Sequence, residues 1–231
     1  MKLSRIQAGF SVTEMLVAMT IGLVVTASMI AVMSNSLSNT SRLVKMNKLA
    51  ENLRSTMQMM SRDVRRSSYT ANAVYCFGNP DCSDLGSVGA AGSVLLPGDI
   101  TINESNDCLT FLLDRDQDGD ATEDDAGGFR RVVVNDVGQI EAWIGDSAPD
   151  CAAADEDWVA LTDADQIDIT AFTVNDDQSY NEILVADGDG NAITTQKVRR
   201  ILMIVSGELI QDDSITRTVE TTIKVRNNLW F

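Results

Sequence analysis

Hydrophobic positions along the chain follow three successive patterns. From Ala8 to Met33 they form an almost unbroken apolar run, and Phe10 to Met33, 24 residues, spans about 36 Å as a helix, enough to cross a bilayer with some tilt. Ten of these residues are Phe, Val, Leu or Ile, together favouring insertion by about 3–6 kcal/mol; the single carboxylate, Glu14, opposes it by about 2.5–3.5 kcal/mol at the bilayer centre. Lys2 and Arg5 precede the run with no acid beside them, which holds the N-terminus in the cytoplasm and sends everything after Met33 outward. The second pattern is helical: Met46, Ala50, Leu53, Met57, Met60 and Val64 recur every three or four residues, while Arg54, Ser55, Arg62 and Arg65 fall largely off that stripe. Neither Pro nor Gly interrupts Ser34 to Ser68, so one helix is predicted from about Phe10 to Ser68, its second half packed on a sheet. A free coiled coil is the alternative, but the heptad run is short.

The third pattern alternates. Tyr69 to Gly98 is rich in Gly, Ser, Asn and Asp and reads as a connector. Strand candidates follow at Cys108–Leu113, Phe129–Asn135, Gln139–Ile144, Ile167–Val174, Val198–Leu209 and Ile215–Arg226. In the last, Ile215, Val219, Ile223 and Val225 share one parity with Arg217 and Thr221, and Thr216, Thr218, Glu220, Thr222, Lys224 and Arg226 take the other, as expected of a strand with one wet face. Turns are predicted at Asp136-Val137-Gly138 and Gln211-Asp212-Asp213-Ser214. The fold class is α+β, a long N-terminal helix on a mostly antiparallel sheet.

Charge divides the chain. Residues 1–68 hold nine Lys or Arg and three acids, net +6, whereas residues 69–231 hold nine against 31, net −22. A head this negative repels phosphate backbones, which argues against nucleic-acid binding by the globular part. The basic stalk suits anionic headgroups or acidic partner subunits, with a solvated helix face as the commoner explanation. Cys76, Cys82, Cys108 and Cys151 all lie beyond the apolar run, where disulfides persist. Three pairings are open; Cys76 with Cys82 and Cys108 with Cys151 is favoured, the first closing a short loop. Metal binding by these thiols is disfavoured, since no Cys-x-x-Cys pair and no histidine is present.

A cleaved secretory signal would have a shorter core and a small-x-small cut site, for which Thr26-Ala27-Ser28 is a weak match. A plain anchor leaves unexplained the order of a short basic leader, Gly9, Phe10, and Glu14 at the fifth position counted from Phe10. That order resembles the class III signal of type IV prepilins. The resemblance implies cleavage by prepilin peptidase between Gly9 and Phe10, an N-methylated Phe10, and a Glu14 that pairs with the terminus of a neighbouring subunit during assembly. It divides the chain into a leader (1–9), a transmembrane and filament-core helix (10–33), an extracytoplasmic half-helix (34–68) and a β-rich head (69–231). It also implies a type IV pilin-like fold, residence in the bacterial inner membrane and then the cell-surface pilus, and other minor and major pilins as partners. Leu53 to Tyr69, L-R-S-T-M-Q-M-M-S-R-D-V-R-R-S-S-Y, is similar to the segment of PilW-type minor pilins where a long helix ends in Ser-Arg-Asp-Ile/Val-Arg. J-type pseudopilins of type II secretion carry a comparable segment and are the runner-up. Ser11-Val12-Thr13 departs from the Thr-Leu-Ile of many prepilins without touching Gly9, Phe10 or Glu14.

A second motif, D-R-D-Q-D-G-D-A-T-E-D-D from Asp114 to Asp125, lies between two strand candidates. It follows the calcium-loop pattern Asp-x-Asp-x-Asp-Gly, with Asp114, Asp116 and Asp118 as side-chain ligands, Gly119 at the sharp turn and Asp120 offering its carbonyl. Asp125 stands where such loops place a bidentate Glu, and strands replace helices on either side. Calcium is the expected ligand, weighed against a merely solvated acidic loop; so many acids around Arg115 repel strongly without a cation. Asp187-Gly188-Asp189-Gly190-Asn191 echoes the pattern but fits a Gly-rich turn better. Without histidine there is no Ser-His or Cys-His pair and no His general base, so enzymatic function has little support. A calcium-dependent adhesin displayed on a fibre is the remaining alternative to an assembly subunit.

Overall fold

One continuous helix, α1 (Val12–Arg66), opens the computed structural model, which describes residues 11–69, 100–115, 117, 123–154, 156–186, 192–226 and 229–230. Contacts divide the chain into two units, Met1–Lys45 and Met46–Phe231. In the first, every described residue up to Val44 is exposed, among them Leu16, Val17, Ile21, Leu23, Val24 and Ile30. In the second, the same helix buries Leu49, Leu53, Thr56, Met57, Met60 and Val64. The predicted stripe is therefore present with one change. Leu49, four residues before Leu53, makes the buried contact at the upper end, and Ala50 beside it is only half-buried. Arg54, Ser55, Arg62 and Arg65 are exposed, as their positions off the stripe predict.

Every strand pairing in the second unit is antiparallel. A five-stranded meander runs in chain order through β1 (Thr101–Ile102), β2 (Cys108–Leu112), β3 (Ala126–Val134), β4 (Val137–Trp143) and β5 (Trp158–Ala160). The next strands are β6 (Ile167–Asn175), β7 (Tyr180–Ala186), β8 (Ala192–Val198), β9 (Arg200–Leu209), β10 (Asp212–Lys224) and β11 (Leu229–Trp230). They form a sheet of order β10-β9-β6 and another of order β11-β8-β7. The helix residues Leu49, Leu53, Met57, Met60 and Val64 share one core with Leu109, Phe111, Phe129, Ile140, Ile169, Val174, Met203, Val205 and Ile223, which come from the first two sheets. The architecture is pilin-like α+β, with a long helix laid on antiparallel sheets.

Two turns sit elsewhere than the sequence suggested. The β3–β4 hairpin closes on Asn135 and Asp136, at φ 51° and 65°, with Val134 opposite Val137. Asn and Asp tolerate this left-handed backbone, and the two-residue turn that uses it matches strand twist. Gly138 is needed for a different reason, since a Cβ there would lie 2.1 Å from the Ile169 carbonyl oxygen on β6. The β9–β10 turn occupies Ile210 and Gln211, and irregular pairing between Asp212 and Thr216 absorbs the residues expected to turn. The single strand expected from Val198 to Leu209 is divided at Arg199, with Val198 ending β8 and Arg200 starting β9 in another sheet. The connector expected at Tyr69 to Gly98 falls, apart from Tyr69, outside the described residues.

The lower end of α1 is fastened to the sheets. Ser68 takes a left-handed φ of 58° and its N–H donates to the Leu112 carbonyl at 2.7 Å. The Arg226 N–H donates to the Arg65 carbonyl at 3.0 Å. Arg199, 1% exposed, donates from Nη1 to Ser68 Oγ at 2.9 Å, putting a guanidinium near the negative end of the helix dipole.

Candidate functional site

At the start of α1, Ser11 and Glu14 bind each other reciprocally. The Glu14 N–H donates to Ser11 Oγ at 3.2 Å, and Glu14 Oε2 accepts from the Ser11 N–H at 2.9 Å and the Ser11 hydroxyl at 3.1 Å. This is a capping box, Ser at the N-cap and Glu three residues on, which satisfies helix-start donors and sets the carboxylate at the positive end of the dipole. Sequence reading selected Glu14 for its place in the apolar run, and the S-x-x-E spacing was legible there too. Gly9 and Phe10 lie outside the described residues.

The acidic loop leaves the meander between β2 and β3. Its first and last acids are both buried, Asp114 fully and Asp125 at 5% exposure. Asp125, at the end of a short 3-10 turn (Glu123–Asp125), crosses the neck of the loop: its carbonyl accepts from the Leu113 N–H at 3.2 Å and its Oδ1 from the Arg115 N–H at 2.8 Å. The Asp114 N–H donates to the Tyr69 carbonyl at 3.0 Å, tying the neck to the end of α1. Asp116, Asp118 and Asp120, like Asp187, Asp189 and Asn191, lie outside the described residues. Among the described residues no three acidic or thiol side chains converge.

Arg115 links the loop to the helix in a second way. Its charge, with those of Arg66 and Arg62, acts on Asp63, a half-buried residue of α1. Burial nevertheless pushes the Asp63 carboxyl above its ordinary value, because loss of water disfavours the charged form by more than the three cations restore.

The disulfide of the described head joins Cys108, at the start of β2, to Cys151 in the loop between β4 and β5. Cys76 and Cys82 lie outside the described residues. Around the bridge stands a cluster that sequence reading missed. Trp143 and Trp158 meet edge to face at 5.3 Å, and the Arg130 guanidinium lies 4.3 Å from the Trp158 ring centre. Arg130 also donates to Glu141 Oε2 at 2.9 Å from Nε, and from Nη1 to the carbonyls of Cys151, at 3.2 Å, and Ala153, at 2.5 Å. One buried cation thus holds the disulfide loop by its backbone. The available signal was an adjacent pair, Arg130 and Arg131, ahead of three valines on a strand whose partner carries Glu141.

An exposed apolar half-helix with a carboxylate capped at its start, continuing as a half-helix packed on antiparallel sheets, defines a type IV pilin-like prepilin; residues 4–30 match the prokaryotic N-terminal methylation motif. Residues 42–225 match the profile of prepilin peptidase-dependent protein B, and the chain belongs to that family. It is therefore a membrane-anchored, pilin-like precursor processed by prepilin peptidase, and not an enzyme. No curated protein and no solved structure matches the chain.

Proposed function

We propose that the protein is a minor pilin of the PilW type, a subunit that primes or tips a type IV pilus. Prepilin peptidase cuts between Gly9 and Phe10, residues 10–33 enter the filament core, and Glu14 pairs with the methylated terminus of a neighbouring subunit. The observation that carries this reading is the methylation motif on a helix whose apolar half is wholly exposed and whose only acid in that half is Glu14. Replacing Glu14 with Ala should leave the mature mass unchanged and abolish recovery in sheared filaments. Incorporation at the wild-type level would sink the assembly role. Deletion of the gene should remove surface pili; loss of protein secretion with pili intact would instead place the chain among the J-type pseudopilins, and normal fibres that fail to attach would favour the adhesin.

Calcium in the Asp114 loop is part of the same proposal. Its support is the neck geometry, in which Asp125 is hydrogen-bonded across to Arg115 beside a buried Asp114. Asp114, Asp116, Asp118, Asp120 and Asp125 supply the hard oxygen donors such an ion requires. Chelation should lower the melting temperature of the head, and calorimetry should show one bound calcium. An unchanged melting curve with no heat of binding would remove the ion from the proposal.

A further inference from the structure

Lys48, Arg54, Arg62 and Arg65 are all exposed, on the side of α1 away from Leu49, Leu53, Met57, Met60 and Val64. The acids beside them are the exposed Glu51 and the half-buried Asp63, on which Arg62 and Arg66 act. Packing does not require this face: the buried stripe attaches the helix, and the cations point away from it. A row of long cations on one side of an attached helix carries a positive potential that reaches out a Debye length, about 8–10 Å, before salt screens it.

The complementary surface is in the same chain. Ile144 to Gln166 contains Asp146, Asp150, Asp155, Glu156, Asp157, Asp163 and Asp165 and not one Lys or Arg. Asp146, Asp150, Glu156, Asp163 and Asp165 are exposed. This segment is also held in shape, by the Cys108–Cys151 bridge, by Arg130 on the Cys151 and Ala153 carbonyls, and by the Trp158 indole N–H on the Asp150 carbonyl at 3.2 Å. A rigid acidic surface loses little conformational freedom on binding, which favours it over an equally charged floppy one.

We propose that the cationic face of α1 is a docking surface for a second copy of this chain, and that the Ile144–Gln166 segment of that copy is what it receives. Charge complementarity of this kind sets register and partner choice as well as affinity. The contact goes beyond the assembly role proposed above and its test needs no filament, so its failure leaves that role standing.

The test is sedimentation equilibrium of the full-length chain in a nonionic detergent at about 50 mM and about 500 mM NaCl. The wild type should self-associate at low salt and weaken on the order of tenfold at high salt. Arg54→Glu with Arg62→Glu should weaken low-salt association similarly, and so should Asp146→Lys with Glu156→Lys. Mixing the two doubly substituted proteins should restore it, because each supplies the charge the other lacks. Circular dichroism confirms that each variant is folded, and the loop-side pair decides the question if the helix-side pair is not. A wild type that stays monomeric at low salt overturns the proposal. So does association that neither salt nor either pair of substitutions changes, which would assign the contact to the exposed apolar half of α1.

Discussion

Asp63 shows what one half-buried carboxyl does to stability. Its folded-state pKa lies above the ordinary 3.8, burial being the larger cause and Arg115, Arg66 and Arg62 the partial offset. A raised acid binds more protons folded than unfolded, so its contribution is most favourable below pH 3.8 and is lost as pH rises through the folded value. At neutral pH Asp63 therefore opposes folding. Asp63→Asn should raise the melting temperature at pH 7 and leave it nearly unchanged near pH 3; equal shifts at both would show that charge is not the cause. Arg130 is the opposite case, 7% exposed and fully engaged. Arg130→Met leaves Glu141 and two loop carbonyls without their donor and should cost about 2–4 kcal/mol in urea unfolding. Arg130 did not stand out in the sequence, for the same reason Arg199 did not. A cation on a strand carries no mark of which way the strand will turn it, and only the partner strand decides.

The helix divides into halves with different obligations. Leu53 is fully buried against the sheets, while Leu43, ten residues earlier on the same helix, is exposed. Leu53→Ala should destabilise the head by about 2–5 kcal/mol, whereas Leu43→Ala should change head unfolding by less than about 0.5 kcal/mol. Similar losses at both positions would mean that the apolar half contributes to head stability. The long elements were legible because their periods are long: α1, β9 and β10 each repeat their pattern several times. The short ones were not. β1 and β5 have two and three residues, too few for alternation to register. The hairpin at Asn135–Asp136 was displaced by one residue because Gly138 attracts a turn assignment, while its actual role is to let β6 approach the backbone. Of the candidate site, the spacing Gly9, Phe10, Glu14 and the alternate aspartates were plain in the sequence, since both depend on local order. The Arg130 and Trp158 platform was hidden because it joins strands far apart in the chain.

Taken whole, the head relies on a covalent tie where its sheets meet a long loop. The Cys108–Cys151 bridge closes a separation of 43 residues, and removing it should cost about 3–4 kcal/mol through the freedom regained by the unfolded chain. Cys108→Ser with Cys151→Ser should show this as a lower urea midpoint with a steeper slope, since the unfolded chain expands; an unchanged midpoint would mean that Arg130 and the tryptophans suffice. The fastening at the end of α1 has a mechanical meaning as well. In the filament proposed above the subunit would be loaded along its helix, and the Ser68 and Arg226 backbone bonds and the Arg199 guanidinium would pass that tension into the sheets. Leu49, Leu53, Met57, Met60 and Val64 lie along the line of pull, so the load drags all five across the core together instead of peeling them away in turn. Shear of this kind resists force far better than peeling, so in the pilus proposed above the head would meet tension along α1 with its whole buried stripe at once.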